Sequence, residues 1–133
     1  MWVAVWRSSA RVASIGHVTS VLIVDDHPSF RATARALLTA EGFEVVGEAE
    51  NGVGALRCAK ELHPDLVLLD VQLPDFDGFE VASRLTSNGS GPIVVLTSSR
   101  DGSDFGPLVA QSGARGVVPK GELSGAALKA VLG

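Results

Sequence analysis

Tyrosine is absent from this 133-residue chain, and cysteine occurs once, at Cys58. A single thiol excludes an internal disulfide and a thiolate metal cluster, and it suits a reducing compartment, so a cytoplasmic location is expected. Aromatic residues make up only 5% of the chain, which leaves Val, Leu and Ala to build the core. No apolar run approaches the roughly 18 residues that span a bilayer. An excess of positive charge is missing too. The net charge of −4 offers no electrostatic reason for direct contact with nucleic acid or an anionic membrane surface. What remains, 46% apolar and 20% charged residues, is the balance of a globular domain, and the length suits one.

Residues 1–19 stand apart. They hold Trp2, Trp6, Arg7, Arg11, Ser8, Ser9 and Ser14, and no acid. Acid-poor segments with Arg and Ser occur in transit peptides, but a secretory signal places its charge before the apolar stretch, whereas Arg7 and Arg11 lie inside it. The expectation is a disordered or loosely docked extension ahead of a domain over residues 20–132.

From Val21 onward, short apolar runs alternate with helical patterns. The runs are Val21-Leu22-Ile23-Val24, Phe43-Glu44-Val45-Val46, Leu66-Val67-Leu68-Leu69, Ile93-Val94-Val95-Leu96 and Gly116-Val117-Val118. Strands covered by helices on both faces are apolar at every position; an open antiparallel sheet would alternate. Glu44 interrupts the second run, as suits an edge strand. Between the runs, Pro28 opens a first helix that Gly42 stops. Asn51 caps a second, closed by His63-Pro64, and Asp77 caps a third, ended by Asn88-Gly89. A fourth, between Ser103 and Ser112, is interrupted by Gly106-Pro107. A fifth is expected from about Glu122 to Leu132. Strand and helix in alternation mean an α/β fold: a doubly wound, five-stranded parallel sheet of the flavodoxin-like kind, helices on both faces.

Polar residues follow four of the five runs. The first ends in Asp25-Asp26, the third in Asp70, the fourth in Thr97-Ser98, and the fifth passes through Pro119 into Lys120. The second, followed by Gly47-Glu48-Ala49, has no equivalent. Ligands of doubly wound sheets bind beyond the carboxyl ends of the strands. In the order 2-1-3-4-5 the four polar-tipped strands are neighbours, and the strand without such a tip is outermost. Three carboxylates in one crevice repel one another. A divalent cation relieves that, and an all-oxygen set suits Mg²⁺. Positioning and charge neutralisation are most of what phosphoryl transfer needs. Asp70 then offers a nucleophilic carboxylate, Lys120 a balancing charge and Thr97 a hydroxyl donor.

The stretches Val21-Leu22-Ile23-Val24-Asp25-Asp26-His27-Pro28, Leu68-Leu69-Asp70-Val71-Gln72-Leu73-Pro74-Asp75-Phe76-Asp77-Gly78, Val95-Leu96-Thr97-Ser98 and Pro119-Lys120 resemble the receiver domain of bacterial response regulators. The Asp-Asp-His-Pro opening and the Pro-Lys-x-x-Leu ending resemble receivers that precede a helix-turn-helix output domain. The resemblance implies that Asp70 is the phosphoacceptor. It implies Mg²⁺ held by Asp26, Asp70 and the backbone carbonyl of Gln72, with Asp25 acting through water. Thr97 would turn toward the phosphoryl group and Lys120 would pair with it. Gln72 and Ser99 stand where side chains tune phosphoryl lifetime in this family.

Three positions depart from the pattern. Val117 stands where an aromatic switch residue is common. Gly121 follows Lys120 where many relatives have proline, and Gly106-Pro107 shortens the fourth helix. Plainer readings apply to several polar residues: Asp75 is read as solvated, His27 as a helix-start residue without chemistry, and Cys58 as a filler on a helix face.

The expected function is a phosphoacceptor signalling domain that is not an enzyme beyond its own phosphorylation and dephosphorylation. It would be phosphorylated by a sensor histidine kinase or phosphotransfer protein and would change its binding to a downstream protein, with homodimerisation as a further option. The alternative is the receiver portion of a DNA-binding transcriptional regulator. An aspartyl phosphatase is disfavoured, because Gln72 occupies the place of the acid such enzymes carry two residues beyond the nucleophile.

Overall fold

The computed structural model describes residues 18–99 and 105–133. Five strands, β1 (Ser20–Val24), β2 (Glu44–Ala49), β3 (Leu66–Asp70), β4 (Ile93–Ser98) and β5 (Gly116–Pro119), form one parallel sheet in the order β2-β1-β3-β4-β5. Five α-helices follow them in turn: α1 (Pro28–Ala40), α2 (Gly52–Leu62), α3 (Gly78–Thr86), α4 (Gly106–Ser112) and α5 (Gly125–Leu132). This is the doubly wound architecture expected, with β2 at the edge.

Apolar strands are explained by two cores, one on each face. Side chains of alternate residues point to opposite sides of a strand. Leu22, Val24, Val67, Leu69, Val94 and Leu96 pack with Ala55, Ala59, Val81 and Ala82 of α2 and α3. Val21, Ile23, Leu66, Leu68, Val95 and Val118 pack with Ala34 and Leu38 of α1 and Leu128 of α5. Along β1, β3 and β4 both faces are covered and polar residues are held to the strand ends, whereas the edge strand β2 carries Glu44 and Glu48.

Several boundaries differ from expectation. β2 begins at Glu44 and runs through Gly47, Glu48 and Ala49. Phe43 lies just before it, buried, its N–H donating to the Leu38 carbonyl. Pairing with β1 carries the strand to Ala49 despite its weak apolar pattern, with a register shift between Val21 and Leu22. Gly106-Pro107 does not interrupt α4 but starts it, since proline needs no hydrogen-bonded N–H in a first turn. The earlier part of that expected helix, including Ser103, lies outside the described residues. The segment after β5 is a single 3-10 turn, Lys120–Glu122, and α5 starts only at Gly125, where the Ser124 hydroxyl accepts from the Ala127 N–H. Asn51 and Asp77 cap α2 and α3 as expected, accepting from the Gly54 and Glu80 N–H groups. His63 ends α2 with a left-handed backbone, φ 48°. The expected N-terminal extension lies outside the described residues except for Val18 and Thr19, whose carbonyl accepts from the Glu44 N–H.

Candidate functional site: an acidic crevice at the strand ends

The alternation that fills the two cores also aims the polar residues. Continuing the α1/α5-facing series one step past each apolar run gives Asp25 after Ile23, Asp70 after Leu68, Thr97 after Val95 and Lys120 after Val118. Register keeps them level: Asp70 pairs with Thr97, and Thr97 with Val118. The Asp25 N–H extends the β1–β2 ladder by donating to the Ala49 carbonyl.

Lys120 reaches back over the crevice. Its Nζ lies 2.7 Å from Asp25 Oδ2 and 3.2 Å from Asp70 Oδ2, and 4.8 Å from the centre of the Phe30 ring, which covers it from α1. One ammonium thus spans two carboxylates from chain segments far apart in sequence. Asp25 is fully buried, Asp70 is 3% exposed and Thr97 is 1% exposed. Asp26 lies at the solvent side, and its Oδ1 is 3.1 Å from His27 Nδ1. The Gln72 N–H donates to Asp70 Oδ1. The Thr97 hydroxyl, although buried, has no hydrogen-bond partner among the described residues.

The charges settle unevenly. Burial pushes the Asp70 carboxyl above the usual carboxylate range; the Gln72 N–H pulls it back, the Asp25 charge adds to the rise, and Lys120 opposes it. Burial also works against ionised Asp25, but Lys120 and the backbone and ring N–H groups of His27 outweigh it and hold that carboxyl below its ordinary value. For Lys120, burial disfavours the charge, yet Asp25 and Asp70 together raise its affinity for the proton. Lys120 lies closer to Asp25 than to Asp70, and the two carboxyls shift in opposite directions.

Loops around the crevice are pinned. A guanidinium N–H of Arg31 donates to the Asp25 carbonyl at 2.7 Å, and Arg31 also pairs with Glu48. Beyond Asp70, Gly78 packs so closely that a Cβ there would collide with the Asp70 carbonyl and come within 2.7 Å of Val71 Cα. Asp75, read from sequence as solvated, is instead a clasp. Its carboxylate accepts from the N–H groups of Gly52 (2.7 Å), Val53 (2.9 Å) and Phe76 (2.8 Å), tying the β3–α3 loop to the first turn of α2. The signal for this was present, since an acid beside a helix N-terminus is favourable, but α2 is remote from Asp75 in sequence.

His27 stands at the start of α1, as expected, but its side chain makes no capping bond. Its Nδ1 lies 2.9 Å from Asp25 Oδ1, at the solvent side of the crevice. Asp25, Asp26, His27 and Asp70 each offer one ligand atom, all within 4.8 Å of one another. Adjacency to two aspartates was the available hint.

Fold and crevice together define the class: a flavodoxin-like α/β protein with a carboxylate–lysine site at its switch point. The chain belongs to the response regulator receiver domain family, whose model matches residues 21–132. A transcriptional regulator of Pseudomonas aeruginosa is 43% identical over 105 residues, covering 79% of this chain and 51% of the relative. The virulence-factor transcription regulator BvgA of Bordetella pertussis is 45% identical over 102 residues, covering 77% of this chain and 49% of the relative. The chain spans about half the length of these curated relatives. The receiver domain of the response regulator NarL from Mycobacterium tuberculosis superimposes with a TM-score of 0.76 at 35% identity, over 88% of this chain and 98% of that one.

Proposed function

We propose that Asp70 is the phosphoacceptor of this receiver domain and that its phosphorylation changes binding to a downstream protein. One observation carries the reading: Lys120 Nζ bridges Asp25 and Asp70 at the ends of neighbouring strands. A phosphoryl group on Asp70 would meet that ammonium and the unpartnered Thr97 hydroxyl, both on the same side of the sheet. In the transfer, an Asp70 carboxylate oxygen attacks phosphorus as the phosphorus–nitrogen bond of a phosphohistidine breaks. The bonding pair leaves with the imidazole nitrogen, which then takes up a proton. Family membership favours a sensor histidine kinase or phosphotransfer protein as donor, in the cytoplasm. Apart from this self-modification the domain needs no enzymatic activity.

The donor set fits Mg²⁺. Asp25, Asp26 and Asp70 supply oxygens, and an all-oxygen environment is what that ion takes; the backbone carbonyl of Gln72 completes the proposed set. When bound, the ion would offset the negative charge of the carboxylates and the incoming phosphoryl group. The burial of Asp70 beside a second carboxylate supports this need.

The test is incubation of the full chain with a small phosphodonor and Mg²⁺. Intact mass should rise by one phosphoryl group in the wild type and stay unchanged in Asp70→Asn. Phosphorylation that persists in Asp70→Asn refutes the assignment. A second reading places the receiver within a DNA-binding transcriptional regulator. It is favoured by relatives of that description, of which the match covers only about half. Genomic sequence past codon 133 tests it: an in-frame helix-turn-helix supports it, and an immediate stop opposes it.

A further inference from the structure

Asparagine occurs twice in the chain, at Asn51 and Asn88, and each is followed by glycine. Such a pair is open to attack of the glycine backbone nitrogen on the asparagine side-chain amide, because glycine has no Cβ to obstruct the approach. The fold treats the two pairs in opposite ways. At the start of α2, Gly52 is buried, and a Cβ there would stand 2.6 Å from the Phe76 ring. Its N–H donates to the Asp75 carboxylate at 2.7 Å, while Asn51 Oδ1 is turned forward to the Gly54 N–H, also at 2.7 Å. Attacking nitrogen and target amide are both occupied there. In the turn between α3 and β4, by contrast, Asn88, Gly89 and Ser90 are all exposed. Gly89 has φ 76° and nothing within 4 Å of where a Cβ would stand, and its N–H donates to the uncharged Thr86 carbonyl at 3.1 Å. The Ser90 N–H and hydroxyl both donate to Asn88 Oδ1, each at 3.1 Å.

We infer that Asn88 is a self-modification site, at which the folded chain exchanges an amide for a carboxylate, and that the Asp75 clasp protects Asn51 from the same reaction. The Gly89 nitrogen gives its proton to hydroxide and attacks Asn88 Cγ. The Cγ–Nδ2 bond then breaks, and its electron pair leaves with the nitrogen, which takes a proton from water and departs as ammonia. Water opens the resulting five-membered imide at either carbonyl, giving aspartate or isoaspartate. Both Ser90 donors face the oxygen on which negative charge develops as Gly89 attacks, so they favour the step. At Asn51 the attack has to break a bond from Gly52 to a charged acceptor, which is stronger than one to a neutral carbonyl. It also has to undo the cap of α2. The product adds one negative charge to the turn that leads from Thr86 to Ile93, at the sheet edge opposite the acidic crevice. The inference is therefore independent of the phosphoacceptor reading.

Incubation of the full chain in mildly alkaline buffer, followed by tryptic mass mapping, tests this. Cleavage after Arg35, Arg57, Arg84 and Arg100 puts Asn51 in peptide 36–57 and Asn88 in peptide 85–100, one asparagine in each. Peptide 85–100 should gain one mass unit and split into aspartate and isoaspartate forms. Peptide 36–57 should convert about tenfold more slowly or less, because a charge-assisted hydrogen bond has to open first. In guanidinium chloride the two rates should converge, since both sites are then the same dipeptide. Ser90→Ala should slow conversion at Asn88 severalfold. Asp75→Ala should speed it at Asn51, whereas Asp77→Ala, which removes the cap of α3 instead, should not. No conversion of peptide 85–100 in the folded chain, over a time in which the unfolded chain converts, overturns the site. Equal rates for the two peptides in the folded chain overturn the protection of Asn51. The comparison of folded and unfolded wild type needs no variant, so a misfolded substitution does not blur it.

Discussion

Thr97 shows how single residues in the crevice are held at a cost. A buried hydroxyl without a partner costs about 1–3 kcal/mol relative to a paired one, and Thr97 is 1% exposed with no partner among the described residues. Thr97→Val, which keeps the branched shape, should stabilise the unphosphorylated protein by about 1 kcal/mol in urea denaturation. A loss of stability would mean that the hydroxyl is already satisfied. Glu48 behaves in the opposite way. Arg35 Nε at 2.6 Å, against the cost of burial and with help from Arg31, holds its carboxyl below the ordinary value of 4.5. A carboxylate with a depressed folded-state pKa stabilises the fold above its unfolded value. That contribution should fade as pH drops below about 4.5 and through the lower folded value. Glu48→Gln should therefore flatten the acid limb of the stability–pH curve; an unchanged limb would assign acid sensitivity to other groups.

At the scale of elements, the β3–α3 connection is the part most tightly specified. Asp75 and Asp77 look alike in sequence but serve different helices: Asp77 caps its own α3, and Asp75 caps α2 across the loop. Removing such a cap costs about 1 kcal/mol. Asp75→Ala should cost that much and should speed amide exchange at Gly52 and Val53, which Asp77→Ala would leave protected. Gly78 constrains the same loop from the other end. Gly78→Ala forces a Cβ against the Asp70 backbone, for an expected loss of about 1–3 kcal/mol. Its thermal midpoint should fall, and Mg²⁺ affinity should fall with it, because the backbone that carries Asp70 has to shift. A variant with wild-type metal affinity would separate the loop from the site.

For the molecule as a whole, the sheet divides the interior into two cores of unequal construction. The side facing α1 and α5 relies on few helix residues, and Leu128 is the buried large side chain of α5. Leu128→Ala should cost about 2–5 kcal/mol. Amide exchange in α5 should accelerate before that of β1 or β3; uniform acceleration would mean that α5 and the sheet open together. Because Lys120 opens the 3-10 turn that leads into α5 and returns to Asp25 and Asp70, loosening this helix should also weaken the crevice. Val117 packs on the opposite face with the α2–α3 core. Its side chain is thus part of the packing beneath the sheet and not a projection beside Lys120.

Strand number, helix order and the polar residues at each strand end were legible in the chain alone, because period-two burial and helix caps are local properties. The polar tips agreed with the strand order 2-1-3-4-5, in which the four tipped strands are neighbours and the strand without a tip lies at one edge. Local pattern failed where a partner distant in sequence set the outcome. Pairing with β1 extended β2 through Gly47–Ala49, α2 turned Asp75 from a solvated acid into a clasp, and the fold of the β1–α1 turn carried His27 in between two aspartates. Distances between side chains from separate strands, and hence which carboxylate Lys120 neutralises most fully, exist only once the sheet brings those strands side by side. Coulombic and hydrogen-bond energies depend on that spacing, and nothing within a single segment specifies it.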